Sequence, residues 1–421
     1  MPMNVPYRNK KEVLLPLALF SLLLLVRFHS ALLQGGRFMA EEGSIFFEKA
    51  STSSWYDALF YSYGGYLNIV ANASTLLAFH FMPVADAPYL TMAIALLFQL
   101  CAPLIILTAR DAWLSTFRVR CTVTALLLLV PESAEVSLHS IHSQYHLALC
   151  CGLIVSMATE TGWRESLRRI LLFLAPLSGP GGVILAPLFI LRALVDRSRS
   201  RLAECLIINL SSAIQMLFFF HKFNDRVYNF NFCDFVLVFL SRYIMYPFIG
   251  FKHFVVHAGH HLQKMEMAGD TPYSLVILTL LLIVLLAGIL ARQAMRDRDA
   301  REAVWFALAA GLHGSASLYG ALGGAVTALP AGCAERYVFV GQSLFAVSIA
   351  CLSVTGTRTI RKICAYLVPI MLVMGAYHYV ATGKNMLHGP SWWGEVALWR
   401  HDHSHALRVW PAEPEWTMHL P

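Results

Sequence analysis

What most limits the fold of this chain is a series of apolar runs separated by short basic clusters. Residues 13–32, 88–109, 202–221, 273–291, 303–322, 337–355 and 363–381 each come close to the ~20 residues a helix needs to cross about 30 Å of hydrocarbon. Only 14% of the 421 residues are charged, against about 25% in soluble domains, and the mean hydropathy is +0.58. Segments immersed in lipid must satisfy their own backbone hydrogen bonds, which favours helices. The expected fold is an all-α polytopic membrane protein.

Charge placement sets the expected topology. Arg8, Lys10 and Lys11 precede the first run in the manner of a signal peptide, but no small-x-small cleavage site follows, so 13–32 is read as a retained helix. Arg27 and His29, near its far end, are expected to snorkel to the interface. Further clusters are Arg110, Arg118 and Arg120; Arg164, Arg168 and Arg169; Arg197, Arg199 and Arg201; Arg292, Arg296, Arg298 and Arg301; and Arg358, Arg361 and Lys362. The positive-inside rule puts all of them in the cytoplasm. The net charge of +7 therefore reports topology, and no nucleic-acid partner is expected.

The same rule decides two ambiguous stretches. If 67–84 crossed, the next run would carry Arg110, Arg118 and Arg120 outside, so 67–81 is read as an interfacial helix. If 229–250 crossed, the cluster from Arg292 to Arg301 would lie outside, so 222–272 is read as a long outer segment. The remaining crossings are then 121–131 and 169–177, both short, with 143–159 and 183–195. The total is about eleven transmembrane helices, with the N-terminus cytoplasmic and the C-terminus on the outer side. Residues 1–381 form one transmembrane domain with outer loops 33–87 and 222–272, and 382–421 form an aromatic- and His-rich outer tail. About ten residues cannot span a bilayer at 1.5 Å each, so the short crossings are extended by neighbours or dip and return. The turn at 178–182, SGPGG, marks such a break.

Within the outer segments lie the chemical candidates. Residues 38–66 open with Glu41 and Glu42 and end in a turn with Tyr63 and Tyr66. Adjacent carboxylates at a membrane surface supply a general base or hold a divalent cation; the plainer reading is an acidic cap in the first turn of a short helix. The turn PESAEVSLHSIHSQYH carries Glu132, Glu135, His139, His142 and Gln144. If its middle is helical, Glu135, His139 and His142 share a face, as an acid–base pair or metal site requires; otherwise it is a polar helix end facing water. Arg336, followed by Tyr337, stands at the mouth of a late helix and is shaped to bind phosphate through its planar fork, or else pairs with Glu335 or snorkels.

Other features are weaker. The triples His257, His260, His261 and His401, His403, His405 look metal-like but lack a third-ligand signature. Trp392, Trp393, Trp399, Trp410 and Trp416 either stack on sugar rings or anchor at the interface. Asn72-Ala-Ser74 matches a glycosylation acceptor and gets little weight. The nine cysteines show no metal spacing. Cys150 and Cys151 read as core residues, and a disulfide between Cys233 and Cys333 has no supporting pattern.

The phrases AEEGSIFFEKA with YGGYLNIVANAST, PESAEVSLHSIHSQYHLAL, LSGPGGVILAPLFILRAL and AERYVF resemble, in their order and placement, membrane glycosyltransferases of the GT-C fold, especially bacterial proteins that modify O-antigen or other surface polysaccharides. The resemblance runs over roughly 13–355. It implies an inverting transfer of a sugar from a polyprenyl-phosphate donor to a glycan or glycolipid acceptor, outside the bacterial inner membrane and in contact with membrane lipid. Glu42 or Glu41 would be the base, with Glu132 and Glu135 also in the catalytic set. Arg336 and His139 would bind the donor phosphate, and Tyr63, Tyr66, His142, Gln144 and Tyr337 would line the substrate site. A divalent metal ion is an open addition. The usual acidic pair in such loops contains Asp, whereas both residues here are Glu. The rival reading is a secondary transporter or flippase for a small solute or lipid-linked sugar. It is less favoured because the acidic residues sit in outer segments and the chain shows no matching halves.

Overall fold

Helices of unequal length make up the bundle, and the inequality is what creates a cavity. The computed structural model describes residues 10–131, 133–221, 230–249, 252–296, 300–381 and 386–421. Glu132, Arg8 and Arg298 lie outside the described residues, as do residues 222–229 and 250–251 of the long segment expected outside.

The chain begins with α1 (Lys11–Arg27) and the short α2 (His29–Leu32). A π-helical turn (Glu42–Phe47), α3 (Glu48–Thr52), α4 (Trp55–Leu59), the hairpin β1 (Ser62–Tyr63) and β2 (Tyr66–Leu67), and α5 (Ile69–Phe81) follow. The main bundle holds α6 (Ala87–Thr108), α7 (Phe117–Leu128), α8 (Ser143–Ser156), α9 (Trp163–Leu177), α10 (Pro180–Asp196) and α11 (Arg199–His221). Next, α12 (Phe232–Val238) continues through a π-helical stretch into α13 (Tyr246–Ile249), and α14 (Lys252–Ala268) follows. The long helices α15 (Tyr273–Arg296), α16 (Arg301–Tyr319), α17 (Glu335–Thr355) and α18 (Arg358–Val380) complete the bundle. The tail forms α19 (Trp392–His401) and a second hairpin, β3 (Leu407–Val409) with β4 (Trp416–Met418).

Among the described residues six helices are long and apolar enough to cross a membrane: Ala87–Thr108, Arg199–Phe220, Phe232–Ile249, Tyr273–Arg296, Glu335–Thr355 and Arg358–Val380. The chain thus has the helices of a multi-pass membrane protein, but fewer that qualify by length and composition than the eleven crossings expected. Length accounts for most of the difference: α7, α8 and α9 have 12, 14 and 15 residues, which gives them only roughly 18–22 Å, and α1 and α10 have 17 each. One qualifying helix, Phe232–Ile249, falls where a non-crossing outer segment was expected. Arg242, a charge in the middle of this run, is fully buried and donates to the carbonyls of Ala328, Pro330 and Cys333. This helix packs through Val236, Leu237 and Tyr243 on Val276, Leu318 and Val338. Those contacts lie in the turns of α15, α16 and α17 farthest from the basic clusters.

The basic clusters gather at one end. Arg120 pairs with Glu12 at 2.6 Å, joining the starts of α7 and α1. Arg201 pairs with Glu204 at 2.8 Å and donates to the carbonyls of Ile154 and Met157 at the foot of α8. Gln293 and Thr357 bond across α15 and α18. At the opposite end, α5 has only 13 residues and packs against the preceding loop, with Val70, Ala71 and Ala78 buried. Arg27, expected to reach water, is instead buried beneath this end. It donates to Ser133 Oγ at 3.0 Å and lies 4.0 Å over the Tyr379 ring.

The tail packs back on the first loop. Trp392, Val396, Leu407, Val409 and Met418 enclose Phe38 and Phe47 in one apolar cluster. Two backbone bonds, Ala40 N–H to Trp410 O and Trp410 N–H to Phe38 O, join the tail to the residues just before the acidic pair.

Candidate active site

Because α8 and α10 begin well below the ends of α11 and α16, a cavity of about 800 Å³ opens at the end of the bundle opposite the basic clusters. Gln144, Tyr145, Pro180 and Gly181, from the first turns of α8 and α10, form its floor. Val183, Ile184, Met216, Phe219, Ala316 and Leu322 form an apolar wall, while Glu41, Glu135, His142 and Arg336 sit on the polar side. The hairpin contributes Tyr63 and Tyr66, and the tail contributes Glu413 and Trp416. A volume of this size, mostly apolar with a few converging polar groups, is what small-molecule sites have in common.

The adjacent glutamates play different parts. Glu41 lines the cavity and is half-buried. Glu42 is fully buried and turns away. Its Oε1 accepts from the Ser140 N–H and Ser140 Oγ, both at 2.6 Å, and its Oε2 accepts from the Met39 N–H at 3.2 Å. Burial pushes the Glu42 carboxyl above its usual range, with those three donors and Arg37 pulling the other way. Glu42 is thus a tie between the first loop and the turn ahead of α8, and that tie aims Glu41 into the cavity.

Glu135 is the hub of the facing wall. Its carboxylate takes one bond from an Arg336 guanidinium nitrogen and another, at 3.1 Å, from the Arg336 backbone N–H, while its own N–H donates to Glu335 at 2.9 Å. Burial opposes its ionisation, but Arg336 overrides this and holds the carboxyl below the ordinary range. The Glu135 carbonyl accepts from His139 Nε2 at 2.6 Å and His142 Nδ1 at 2.7 Å. A carbonyl only accepts, so these nitrogens carry the protons. That leaves Nε2 of His142 as an acceptor, on a residue that lines the cavity. Burial, more than the charges around it, drives the His142 imidazole down to about 4. His139 is buried and does not line the cavity. The helical face expected for this turn is absent, because residues 133–139 run through bends before a single 3-10 turn, Ser140–His142. Shared use of one carbonyl brings the two rings to 4.4 Å instead.

Backbone strain is concentrated here. Four non-glycine residues among those described have positive φ, and three of them immediately precede site residues: Ala40 before Glu41, Leu138 before His139, and Ala334 before Glu335 and Arg336. Each costs on the order of 1–3 kcal/mol and persists only where the surroundings over-determine it.

Supporting residues hold the walls in register. Gln215 on α11 clamps Leu67 through both its N–H and C=O, at 3.3 and 2.9 Å, which fixes the Tyr63–Tyr66 hairpin. Asn68 donates to the Ile141 carbonyl at 2.9 Å. Asn72, part of the glycosylation match, is buried and bonds the carbonyls of Leu59 and Tyr61, so its amide nitrogen is occupied. Arg37 is fully buried between the rings of Phe28 and Trp410 and donates to the carbonyls of Ser137 and Met386 at 2.6 and 2.9 Å.

Of the residues expected from sequence, Glu41, Glu135, Arg336, Tyr63, Tyr66, His142, Gln144 and Tyr337 meet at one cavity. Glu42 and His139 stand behind it, and Glu132 lies outside the described residues. Tyr145, His313, Ser317 and Glu413 were missed, and Trp416, one of the tail tryptophans with an alternative reading as a stacking or anchoring residue, also lines the cavity. A histidine inside an apolar run was the one available signal for His313. Among the described residues no group of three or more His, Cys, Asp or Glu is arranged to hold a metal ion. The His triples on α14 and in the tail form no such group, while Glu135 is taken up by Arg336 and Glu42 by Ser140. No disulfide joins Cys233 and Cys333.

Comparison with known family models, curated proteins and solved structures gives no match.

Proposed function

We propose that the protein is an inverting membrane glycosyltransferase that moves a sugar from a polyprenyl-phosphate donor to a glycan or glycolipid acceptor on the outer face of a bacterial inner membrane. The reading rests on one observation above all. A carboxylate, Glu41, and an arginine, Arg336, face the same cavity, which is mostly apolar elsewhere and whose position is opposite the basic end. Such a site suits a substrate with an anionic head and a lipid tail. The positive-inside rule then assigns the cavity end to the outer face. The finer reading is a GT-C-like bundle in which Phe232–Ile249 joins the crossings counted from the sequence and the short α7, α8 and α9 are extended by their neighbours.

In this scheme Glu41 takes the proton of an acceptor hydroxyl as its oxygen attacks the anomeric carbon from the face opposite the phosphate. The bond between that carbon and the phosphate oxygen breaks, the electron pair leaves with the polyprenyl phosphate, and the configuration inverts. Arg336, oriented by Glu135, stabilises the charge that develops on the departing phosphate. The neutral Nε2 of His142 accepts from a sugar hydroxyl, and Tyr63, Tyr66, Tyr337 and Trp416 offer ring faces and edges to the sugar.

The test uses the full chain in lipid nanodiscs with a panel of polyprenyl-phosphate hexoses and a glycolipid acceptor, read by mass spectrometry and linkage analysis. The surface glycans of cells with and without the gene are compared alongside. Transfer with inversion supports the reading. Solute exchange that needs no lipid-linked donor, with no transfer, supports the transport reading instead.

A further inference from the structure

Arg336 alone is a poor seat for a phosphate that carries two charges once its sugar has left, because its guanidinium is already engaged by the Glu135 carboxylate. The cavity offers a second cationic pole on its floor. The turn between α9 and α10 leads through Gly179 into Pro180–Gly181–Gly182, and no side chain caps the 17-residue helix that follows. The N–H groups of the first turn have no partner inside the helix, and the aligned peptide dipoles add roughly half a positive charge there. Pro180, Gly181, Val183 and Ile184 of this first turn and a half line the cavity.

A separate observation at the same spot points to a ligand. His313 of α16 lines the cavity and is fully buried, and its Nε2 has no hydrogen-bond partner among the described residues. The other ring nitrogen, Nδ1, lies 3.1 Å from Ser317 Oγ. A buried polar atom left unmatched is costly, on the order of 1–3 kcal/mol. The atom is aimed at the helix start: a Cβ added to Gly181 would lie 3.1 Å from His313 Nε2 and 2.7 Å from Ala148 Cβ. Glycine is thus what lets the ring approach the α10 backbone, next to a first turn whose N–H donors are those of Gly181 and Gly182, since Pro180 has none. When Ser317 Oγ donates to Nδ1, the proton sits on Nε2, which then joins the helix N–H groups as a further donor to one anion.

We propose that the uncapped N-terminus of α10 and His313 Nε2 together form the seat of a phosphate group, distinct from the Arg336–Glu135 pair. On the transferase reading, which this inference builds on, the occupant is the donor phosphate. The seat holds its non-bridging oxygens while Arg336 faces the oxygen that leaves. The adjoining Val183, Ile184, Met216 and Phe219 then take the first isoprene units.

The experiment measures binding alone, with no sugar or acceptor present. The full chain in nanodiscs is titrated with a C55 polyprenyl phosphate, with the matching C55 polyprenol and with inorganic phosphate. Tight binding of the lipid phosphate over the polyprenol, weakened roughly tenfold or more by His313→Leu while polyprenol binding stays unchanged, supports the seat, a tenfold loss being what one hydrogen bond to a charged group supplies. Inorganic phosphate that binds as tightly as the lipid, and with the same His313 dependence, supports the seat and assigns it to the free anion. Should His313→Leu not fold, His313→Gln and Gly181→Ala carry the test. The amide keeps a donor and retains binding, whereas the added methyl crowds Nε2 and weakens it. Unchanged phosphate binding in His313→Leu or in Gly181→Ala overturns the proposal, as does an equal loss for phosphate and polyprenol. Because transfer is measured separately, normal binding in His313→Leu beside lost transfer in Glu41→Gln refutes the seat and spares the transferase reading. His313-dependent phosphate binding in a protein that transfers no sugar supports the seat by itself.

Discussion

Glu42 and Ser140 are joined by two hydrogen bonds of 2.6 Å, from the Ser140 N–H and the Ser140 hydroxyl to one carboxylate oxygen. The pair ties the first loop to the turn before α8 and divides the labour of two neighbouring glutamates. One is structural, and the other faces the cavity.

The consequence is an asymmetry between two single substitutions. Glu42→Ala leaves the Ser140 N–H, the Ser140 hydroxyl and the Met39 N–H unmatched in the interior, at a cost of about 3–5 kcal/mol. It should lower the melting temperature and the yield of folded protein. Glu41→Gln should melt like the parent and lose transfer by roughly 10²–10⁴-fold, the usual contribution of a general base. Thermal unfolding in nanodiscs and a transfer assay on the same preparations check both, and a fully active Glu41→Gln variant would remove the proposed base.

Acid should weaken the site through His142. Its folded imidazole is pushed down to about 4 by burial, against ~6.5 for an exposed one, so between those values the unfolded chain binds more protons. Its contribution is therefore complete above about pH 6.5 and is lost as the pH falls towards 4, amounting to at most about 3 kcal/mol. Glu42, raised by burial, works in the opposite sense, so the informative quantity is the difference between parent and variant. His142→Asn keeps a donor to the Glu135 carbonyl and should show a shallower fall in melting temperature over this window. An identical slope in parent and variant would count against the assignment.

These residues also show what the sequence could and could not convey. Charge alternation separated the apolar helices from the segments between them, and polar residues rare in an apolar chain pointed to eight groups that line the cavity. Direction was not legible. Glu41 and Glu42 differ by one position, and only the contact with Ser140, 98 residues away in sequence, decides which turns inward. Fewer helices qualify as crossings than were counted for a related reason: hydropathy measures composition, whereas the lengths of α7, α8 and α9 are set by how they pack in the bundle. Arg27, Arg37 and Arg242 were unreadable as buried residues because their partners are distant carbonyls and rings, which leave no local pattern. His313 gave the faintest signal, a single polar residue in an apolar run.

The Arg336–Glu135 pair should behave as a unit. Removing either partner leaves a charge in a poorly solvated position, which typically costs 3–5 kcal/mol for buried pairs; the figure here should be about half that, since the Arg336 side chain is 29% exposed. The double variant Glu135→Gln with Arg336→Gln should be more stable than the sum of the single losses, with a coupling of about 1–2 kcal/mol in a double-mutant cycle. Transfer should be lost in all three variants. Additive stabilities would mean that the two side chains do not depend on each other.

The tail should be required for the integrity of the first loop. Trp410 is 2% exposed; its ring lies 5.1 Å from the Arg37 guanidinium carbon, its backbone bonds Phe38 and Ala40, and its indole N–H donates to the Pro390 carbonyl at 2.9 Å. Truncating such a residue costs about 3–5 kcal/mol. Trp410→Ala also uncovers Arg37, whose burial already lowers its guanidinium to about 9 and whose side chain joins the carbonyls of Ser137 and Met386. Ala40, at φ 44°, is held in its strained conformation by its bond to the Trp410 carbonyl, so loss of the tail contact should let the backbone before Glu41 relax. The variant should therefore lose transfer and become open to proteolysis near residues 38–48 while the helical bundle, followed by circular dichroism, stays folded. Protection of that loop in Trp410→Ala, or equal loss of the whole bundle, would show that the tail does not act through the acidic loop.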